Sequence, residues 1–469
     1  MSVTIDARSL EALPGPGLSE AAEVGGAFAA DPVGYLAGLA AKYGPIFKMP
    51  VGPQLYVFVN NAELAERMLR QDFEDYGQSA RMEDLLRPLL GRCIASVADH
   101  LYWEQLHAIM LPIFTPKMLQ RYFEETAAVI QNEVAHLAEM QARGVTVQLY
   151  AFAREGVFTA LTRTIFVRGV KPGDVGLLLS WFASSDNYMN MRYLQGEVAD
   201  TDMSPAIRQG REDLERINQY VYDLIAWRHA NPAHEPEDML DILLQATKSD
   251  GNSLTDVEVR DNVVALFFGG QETTPTVITW AFGLLSANPE KRKKLLEEVD
   301  RVLAGRPPTY RDLSDLKYAE GVLDEALRLY PPFSFIGRET LRDVELGGYQ
   351  IPKGTPMGFV GWTIHRDPRH WPNPEVFEPE RHSRENRRDR AKCAFVAFGY
   401  GQRRCLGERV GRMEGLLMLA LVSQKLLLNH VAGGLPAHKV VQSIKPADGM
   451  PMQIVARAAD ALVRGPPSP

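Results

Sequence analysis

Cys405 stands in the run Phe398-Gly399-Tyr400-Gly401-Gln402-Arg403-Arg404-Cys405-Leu406-Gly407 and is one of three cysteines in the chain. Gly399 and Gly401 permit backbone turns closed to other residues. Behind the loop, Val410, Met413, Leu416, Leu417 and Ala420 recur with helical period. The thiol is therefore presented at the start of a helix beside fixed positive charge, and both features favour the thiolate. A thiolate held this way is a nucleophile or a metal ligand.

A second constellation lies in Ser253–Ala287, the longest helical candidate. Thr255 and Glu258 form a capping box, and Asn288-Pro289 ends the segment. At roughly 1.5 Å per residue the helix is about 50 Å long and must cross the molecule. Its middle reads Gly269-Gly270-Gln271-Glu272-Thr273-Thr274-Pro275. Glycine and proline inside a helix cost about 1 and 3 kcal/mol each. Pro275 cannot donate to the Gln271 carbonyl, and the Thr273 hydroxyl can bond back to Gly269. This predicts a break that widens the helix, with Glu272 and Thr273 supplying an acid and a hydroxyl at the opening. Beside a metal, such a groove suits a small diatomic ligand and the protons it needs.

The third constellation is Glu325 and Arg328, three apart on one helical face among Leu323, Ala326, Leu327 and Leu329. Arg381, in Pro379-Glu380-Arg381, offers a further arginine from a proline-punctuated loop.

The elements that must position these groups are mostly helical. Asp31–Tyr43 and Ala62–Arg70 read as helices, and Ile46–Met49 with Leu55–Val59 as a hairpin. Residues 76–98 lack clean periodicity and read as irregular segments over a cavity. Helix dominates from Leu101 to Ala142 with an interruption near Pro112–Pro116, and returns at about 150–167, 174–195, 205–230 and in Leu316–Leu329, with a polar link at Asn231–Asp238; Arg338–Val360 and the final 40 residues read as β. The reading is an extended lead-in over 1–30 and one unit over 31–469, with a β-rich part near 44–60, 338–362 and the C-terminal 40 residues. The fold class is mainly α, a large helical domain around one long central helix with small sheets.

Composition excludes several classes. A net charge of −8 argues against a general nucleic-acid binder. Cysteines at 93, 393 and 405 give neither a disulfide framework nor a CxxC pattern. No run of about 18 apolar residues exists to span a bilayer, and the first residues carry no apolar core of a signal peptide. A cytoplasmic location follows as an expectation.

Taken together, the three constellations resemble one family. Phe398, Gly401, Arg403, Cys405 and Gly407 match the haem-binding signature of the cytochromes P-450, position for position. Gly269–Thr273 resembles that family's oxygen-activating segment, Glu325 and Arg328 its helix pair, and Arg381 the third member of the same buried network. The resemblance implies the P-450 fold, a haem b cofactor with Cys405 as axial ligand of its iron, and dioxygen as co-substrate. It further implies that Arg403, Arg338 and Trp103, in the run His100-Leu101-Tyr102-Trp103, bind the propionates. Where the family usually has arginine four residues after that tryptophan, this chain has His107, whose charge depends on pH. His382 replaces an aromatic residue common in the family. In monooxygenation Glu272 relays protons and Thr273 orients the oxygen.

The implied reaction is insertion of one oxygen atom into a hydrophobic molecule: a terpenoid, steroid, fatty acid or aromatic. Pocket walls are expected at Ala265, Phe268, Gly269, Phe333, Phe335 and Met450, with Arg192 a candidate anchor. Electrons are expected from NAD(P)H through a reductase and an acidic ferredoxin or flavodoxin. Residues 381–412 hold ten arginines and lysines against three acids, a net +7; Arg387 and Arg388 represent the partner-docking face. The expected state is a monomer. The competing readings are a peroxide-driven peroxygenase, an isomerase or dehydratase needing no reductase, and, more remotely, a cysteine-nucleophile hydrolase.

Overall fold

The computed structural model describes residues 10–171, 173–195, 201–440 and 443–457. Its helices are α1 (Ala21–Ala30), α2 (Pro32–Tyr43), α3 (Ala80–Leu90), α4 (His100–Met110), α5 (Pro116–Ala142), α6 (Leu149–Ile165), α7 (Asp174–Gln195), α8 (Pro205–Ala230), α9 (Asp256–Ala287), α10 (Pro289–Leu303), α11 (Lys317–Leu329) and α12 (Glu408–Lys425). Shorter helical turns lie between them.

Helix α9 organises the packing. The Thr255 hydroxyl accepts from the Glu258 N–H at 3.3 Å, and the Glu258 carboxylate accepts from the Thr255 N–H at 2.8 Å. The capping box is therefore formed as its spacing requires. Val259, Val263, Val264, Phe267, Ile278, Trp280 and Ala281 are all buried, so this helix is apolar around most of its circumference. It packs against α6, α8, α11 and α12. The expected break is absent: the segment is helical from Asp256 to Ala287 with Pro275 inside it. The hydroxyls of Thr273, Thr276 and Thr279 each donate 2.7 Å to the carbonyl four residues back. None of the three reaches the Gln271 carbonyl, the acceptor that Pro275 leaves without its helical donor.

Distant segments build the main sheet. Strands β1 (Ile46–Val51), β2 (Gln54–Val59), β3 (Tyr76–Gly77), β4 (Ile336–Thr340) and β5 (Pro356–Phe359) take the order β1-β2-β5-β4-β3. Only β2 and β5 pair in parallel. A second sheet joins β6 (Leu426–His430) and β9 (Pro451–Ala456) to Val147–Gln148. Between those strands, β7 (His438–Val440) and β8 (Ile444–Pro446) form a hairpin. The indole N–H of Trp280 donates 2.8 Å to the Ile444 carbonyl and fixes that hairpin against α9.

Two sequence expectations change. Residues 18–30 of the supposed extended lead-in are helical, and Val24 is buried in a core shared with α2 and β1. Residues 1–9 lie outside the described part, as do 458–469 of the C-terminal stretch. Within 76–98, α3 is a regular helix; Met82, Leu85, Leu86 and Leu89 supply a helical period that Pro88 obscures. Among the described residues, no helix is long and apolar enough to cross a membrane.

Candidate active site

The cysteine loop has the backbone its glycines anticipate. Gly399 and Gly401 have φ of +72° and +74°. A Cβ on Gly401 would stand 1.9 Å from the Leu69 carbonyl oxygen, so both conformation and space require glycine there. The Cys405 N–H donates 2.9 Å to the Phe398 carbonyl. Phe398, Cys405 and Gly407 all line one large cavity of about 890 Å³. Burial pushes the Cys405 thiol up, against the Gly407 and Glu408 N–H groups that pull it down. The Arg404 guanidinium donates to Glu408 at 2.5 and 2.7 Å. No hydrogen bond joins the sulfur to a histidine among the described residues, so the cysteine-hydrolase arrangement is missing.

At one end of the cavity two cations are buried without a counter-ion. Arg338, from β4, bonds only the Gln78 side chain at 3.0 Å and the Gly337 carbonyl at 2.8 Å. Arg403 donates one N–H to the Val97 carbonyl at 3.1 Å; its Nε and Nη2 have no partner among the described residues. Neither forms an ion pair among the described residues. Burial lowers Arg338 to about 10. Burial, then the neighbouring Arg338 charge, lowers Arg403 to about 9. The Arg403 guanidinium lies 4.6 Å over the Trp103 ring, and both ring nitrogens of His100 are buried and unpartnered. His107 packs against Trp103 at 4.9 Å between ring centroids. Two buried guanidiniums without carboxylates are stable only if a bound anion compensates them. This donor set, set beside a cysteine, fits a haem with two propionates. Burial lowers His107, moving its charge change below the usual imidazole range. His107→Arg is expected to strengthen haem binding at neutral pH and above, where the imidazole is neutral, and to change it little at low pH, where the imidazole is itself charged; identical haem titrations of the two proteins at every pH would refute this.

Thr273 and Glu272 diverge although they are adjacent. Thr273, Thr274, Ala265, Phe268 and Gly269 line the cavity, and no atom lies within 4 Å of a Cβ built on Gly269. That glycine leaves open space against the helix. Glu272 is buried elsewhere: it accepts from the Ser443 hydroxyl at 2.6 Å and pairs with Lys445 of β8 at 2.8 Å. Its second oxygen has no partner. The sequence reading missed Ser443 and Lys445, which lie about 170 positions away with no local motif to announce them.

Other wall residues are partly as expected. Phe333 and Phe335 line the cavity; Phe335 also packs edge-on against Phe58 at 5.9 Å. Met450 does not line it: it is buried behind α9, where its side chain fills the space beside Gly283. Arg192 is no free anchor, since it is buried and donates to the Leu85 and Asp84 carbonyls. Phe28 and Ala29 add walls from the segment read as a lead-in, and Pro32 adds one from the helix that follows it.

Glu414, on the wall from α12, is fully buried, and burial raises its carboxyl to about 8 against a lesser pull from Thr274. A folded-state value above the unfolded one makes its stabilising contribution complete below about pH 4.5, and that contribution is lost as pH rises towards 8. Glu414→Gln is expected to flatten this fall in thermal stability, and equal slopes for the two proteins would refute it.

The charge pair is buried and extended. Arg328 donates to both Glu325 oxygens at 2.8 Å. Glu325 also accepts from the Glu378 N–H at 2.9 Å, bonds His382 at 2.8 Å and pairs with Arg381 at 3.4 Å. His382 is thus a member of the network.

The basic face is smaller than its sequence count. Arg387 and Arg412 pair with buried Asp324. Arg390 stacks 3.7 Å over Trp371, Arg404 holds Glu408 and Arg403 faces the cavity. Exposed Arg384, Arg388 and Arg409 form no ion pair among the described residues, and Lys392 only a 3.9 Å contact with Glu66.

Comparison with known proteins agrees with this geometry. The chain is 30% identical over 408 residues to cyclooctat-9-en-7-ol 5-monooxygenase of Streptomyces melanosporofaciens, covering 86% of each protein. It is 28% identical over 391 residues to pentalenene oxygenase of Streptomyces avermitilis, covering 83% of this chain and 85% of that one. A solved structure, the cytochrome P450DA heme domain, superposes with a TM-score of 0.86 at 24% identity, covering 96% of this chain and 98% of that one. The Cytochrome P450 family model matches residues 22–436. The chain belongs to the cytochrome P450 family, and is a haem- and dioxygen-using monooxygenase.

Proposed function

We propose that this monooxygenase inserts one oxygen atom of dioxygen into an alicyclic terpenoid, with electrons from separate partner proteins. The observation that carries this reading is one apolar cavity whose wall contains both Cys405 and Thr273. Relatives named for pentalenene and cyclooctat-9-en-7-ol favour a terpenoid over the steroid, fatty-acid and aromatic alternatives.

Cys405 would ligate the haem iron through its sulfur, with Phe398 and Gly407 shaping its loop. Arg338, Arg403, Trp103, His100 and His107 would hold the propionates. When bound, the haem supplies the reductive activation of dioxygen, and thiolate ligation promotes O–O cleavage. Leu85, Leu86, Leu89 and Phe268 make the cavity wall apolar. Thr273 offers its hydroxyl oxygen to the cavity while its proton rests on the Gly269 carbonyl, and Glu272, turned away to Ser443 and Lys445, would be the acid that supplies protons to the site.

The reduced, carbon-monoxide-bound protein is expected to show the family's red-shifted Soret band, and Cys405→Ala to lose it. A terpenoid is expected to give a type-I spectral shift and to be oxygenated with ferredoxin, reductase, NAD(P)H and dioxygen. Turnover with peroxide alone would replace this reading with a peroxygenase; turnover with neither would favour an isomerase or dehydratase.

The partner is an acidic ferredoxin or flavodoxin approaching Arg384, Arg388, Lys392 and Arg409, the cations left free near the thiolate side. Arg388→Glu with Arg409→Glu is expected to slow reduction about tenfold at low salt and to flatten its salt dependence. Stopped-flow reduction checks this, and an unchanged rate and salt slope would exclude the surface. Arg387 is unsuitable for the test, because its loss leaves Asp324 less compensated.

A further inference from the structure

Six neutral hydroxyl or amide side chains interrupt the apolar cavity wall among the described residues: Gln78, Thr164, Asn190, Thr273, Thr274 and Ser334. Four are committed. Gln78 bonds the Ala95 carbonyl and Arg338, Thr164 donates to the Ala160 carbonyl at 3.0 Å, Thr273 donates to Gly269, and Thr274 meets Glu414. The side chains of Asn190 and Ser334 form no hydrogen bond with a described residue. They sit differently in the wall. Ser334 is buried between Phe333 and Phe335, and its carbonyl accepts from the Trp362 N–H at 3.1 Å. Asn190 is half-buried on α7 beside Met189, where α7 packs on α3 and its Met82, Leu85 and Leu86.

An amide in such a wall carries two donors and two acceptor sites. Water satisfies them while the cavity is wet. A pure hydrocarbon filling the cavity removes that water and leaves the amide unpaired, which opposes binding. A ligand oxygen opposite Asn190 removes the opposition, and because the amide both donates and accepts, an alcohol and a ketone each suffice. Asn190 is carried by α7, whereas Thr273 is carried by α9. One polar contact on α7 therefore restricts which carbon of a rigid ring system faces the reacting end.

We propose that Asn190 is a substrate-positioning residue that hydrogen-bonds an oxygen already present on the substrate; this rests on the terpenoid reading above and sharpens it to an oxygenated terpenoid. The reaction that supplies such a substrate is a hydration or an earlier oxygenation that leaves a hydroxyl or carbonyl on the ring system.

The test is a type-I spectral titration of the haem-loaded enzyme with a cyclic sesquiterpene alcohol and its parent hydrocarbon. The wild-type protein is expected to bind the alcohol about tenfold more tightly, the value of one net hydrogen bond. Asn190→Leu, of similar size, is expected to erase that ratio by weakening the alcohol, with the hydrocarbon unchanged or tighter. Ser334→Ala is expected to keep the ratio. If Asn190→Leu does not retain haem, Asn190→Ser, too short to make the same contact, is expected to reduce the ratio as well. A ratio that survives at position 190, or falls only with Ser334→Ala, overturns the assignment to Asn190 and leaves the terpenoid reading standing. No spectral shift from either ligand in the wild-type enzyme overturns both.

Discussion

Replacing Glu325 by alanine is expected to destabilise the fold by about 3–5 kcal/mol, the cost of breaking a buried ion pair from one side. Glu325 and Arg328 have no exposed side-chain surface. Without the carboxylate, the Arg328 Nε loses its acceptor, and Nη2 keeps only the Val376 carbonyl at 3.3 Å. The Nη1 bond to the His365 carbonyl remains, so a guanidinium stays pinned in the interior with its charge uncompensated. The Glu378 N–H, His382 and Arg381 lose the same acceptor. A domain's whole stability is about 5–15 kcal/mol, so this loss is a large share of it. Urea denaturation checks the figure, with a midpoint within error of wild type as the contrary result. The pH dependence gives a second reading. Burial pushes the Glu325 carboxyl up, but Arg328 and His382 outweigh it and hold it at about 2. A depressed folded-state value means the contribution is complete above about pH 4.5 and is lost as pH falls towards 2. The gap between wild type and Glu325→Ala is therefore expected to narrow below pH 4.5.

Features set by short-range chemistry were legible in the sequence. The capping box at Thr255, the two positive-φ glycines before Cys405 and the three-residue spacing of Glu325 and Arg328 each act within one turn of chain. Their geometry appears as their spacing requires. What could not be read depends on chain segments meeting from afar. The direction Glu272 faces is decided by Lys445, the worth of Arg387 as a surface charge by Asp324, and the place of Met450 by the absent side chain of Gly283. Helix α9 was misread for a subtler reason. Glycine and proline penalties are intrinsic to the chain, whereas burial of most of its circumference holds the helix together through them. Glu414 was overlooked within an apolar run, yet a lone carboxylate at a helical core position was a usable signal. His382 was noted as a departure, but only its contact with Glu325 gives that departure a purpose.

The second large effect concerns Glu272. Glu272→Gln keeps the shape and the acceptor for Ser443 but cannot carry a proton, so turnover is expected to fall about 10²–10⁴-fold, the usual contribution of a positioned acid or base. Substrate-induced spectral shifts are expected to stay as in wild type, because Glu272 is absent from the cavity wall. Lys445 separates proton delivery from simple packing. Its ammonium is 2.8 Å from the Glu272 carboxylate, and Glu272 is the leading partner that raises Lys445 against the lowering effect of burial. Lys445→Met removes this cation while Ser443 remains in place. If protons pass through Glu272, the turnover–pH profile is expected to change in Lys445→Met. In Lys445→Met with Glu272→Gln, the profile is expected to match that of Glu272→Gln alone. If Glu272 only packs against the β7–β8 hairpin, both substitutions lower stability and leave the pH profile and the solvent isotope effect where they were. A profile altered by Lys445→Met in the wild-type background, but not in the Glu272→Gln background, requires that the proton passes through Glu272, with Lys445 acting on that same carboxylate.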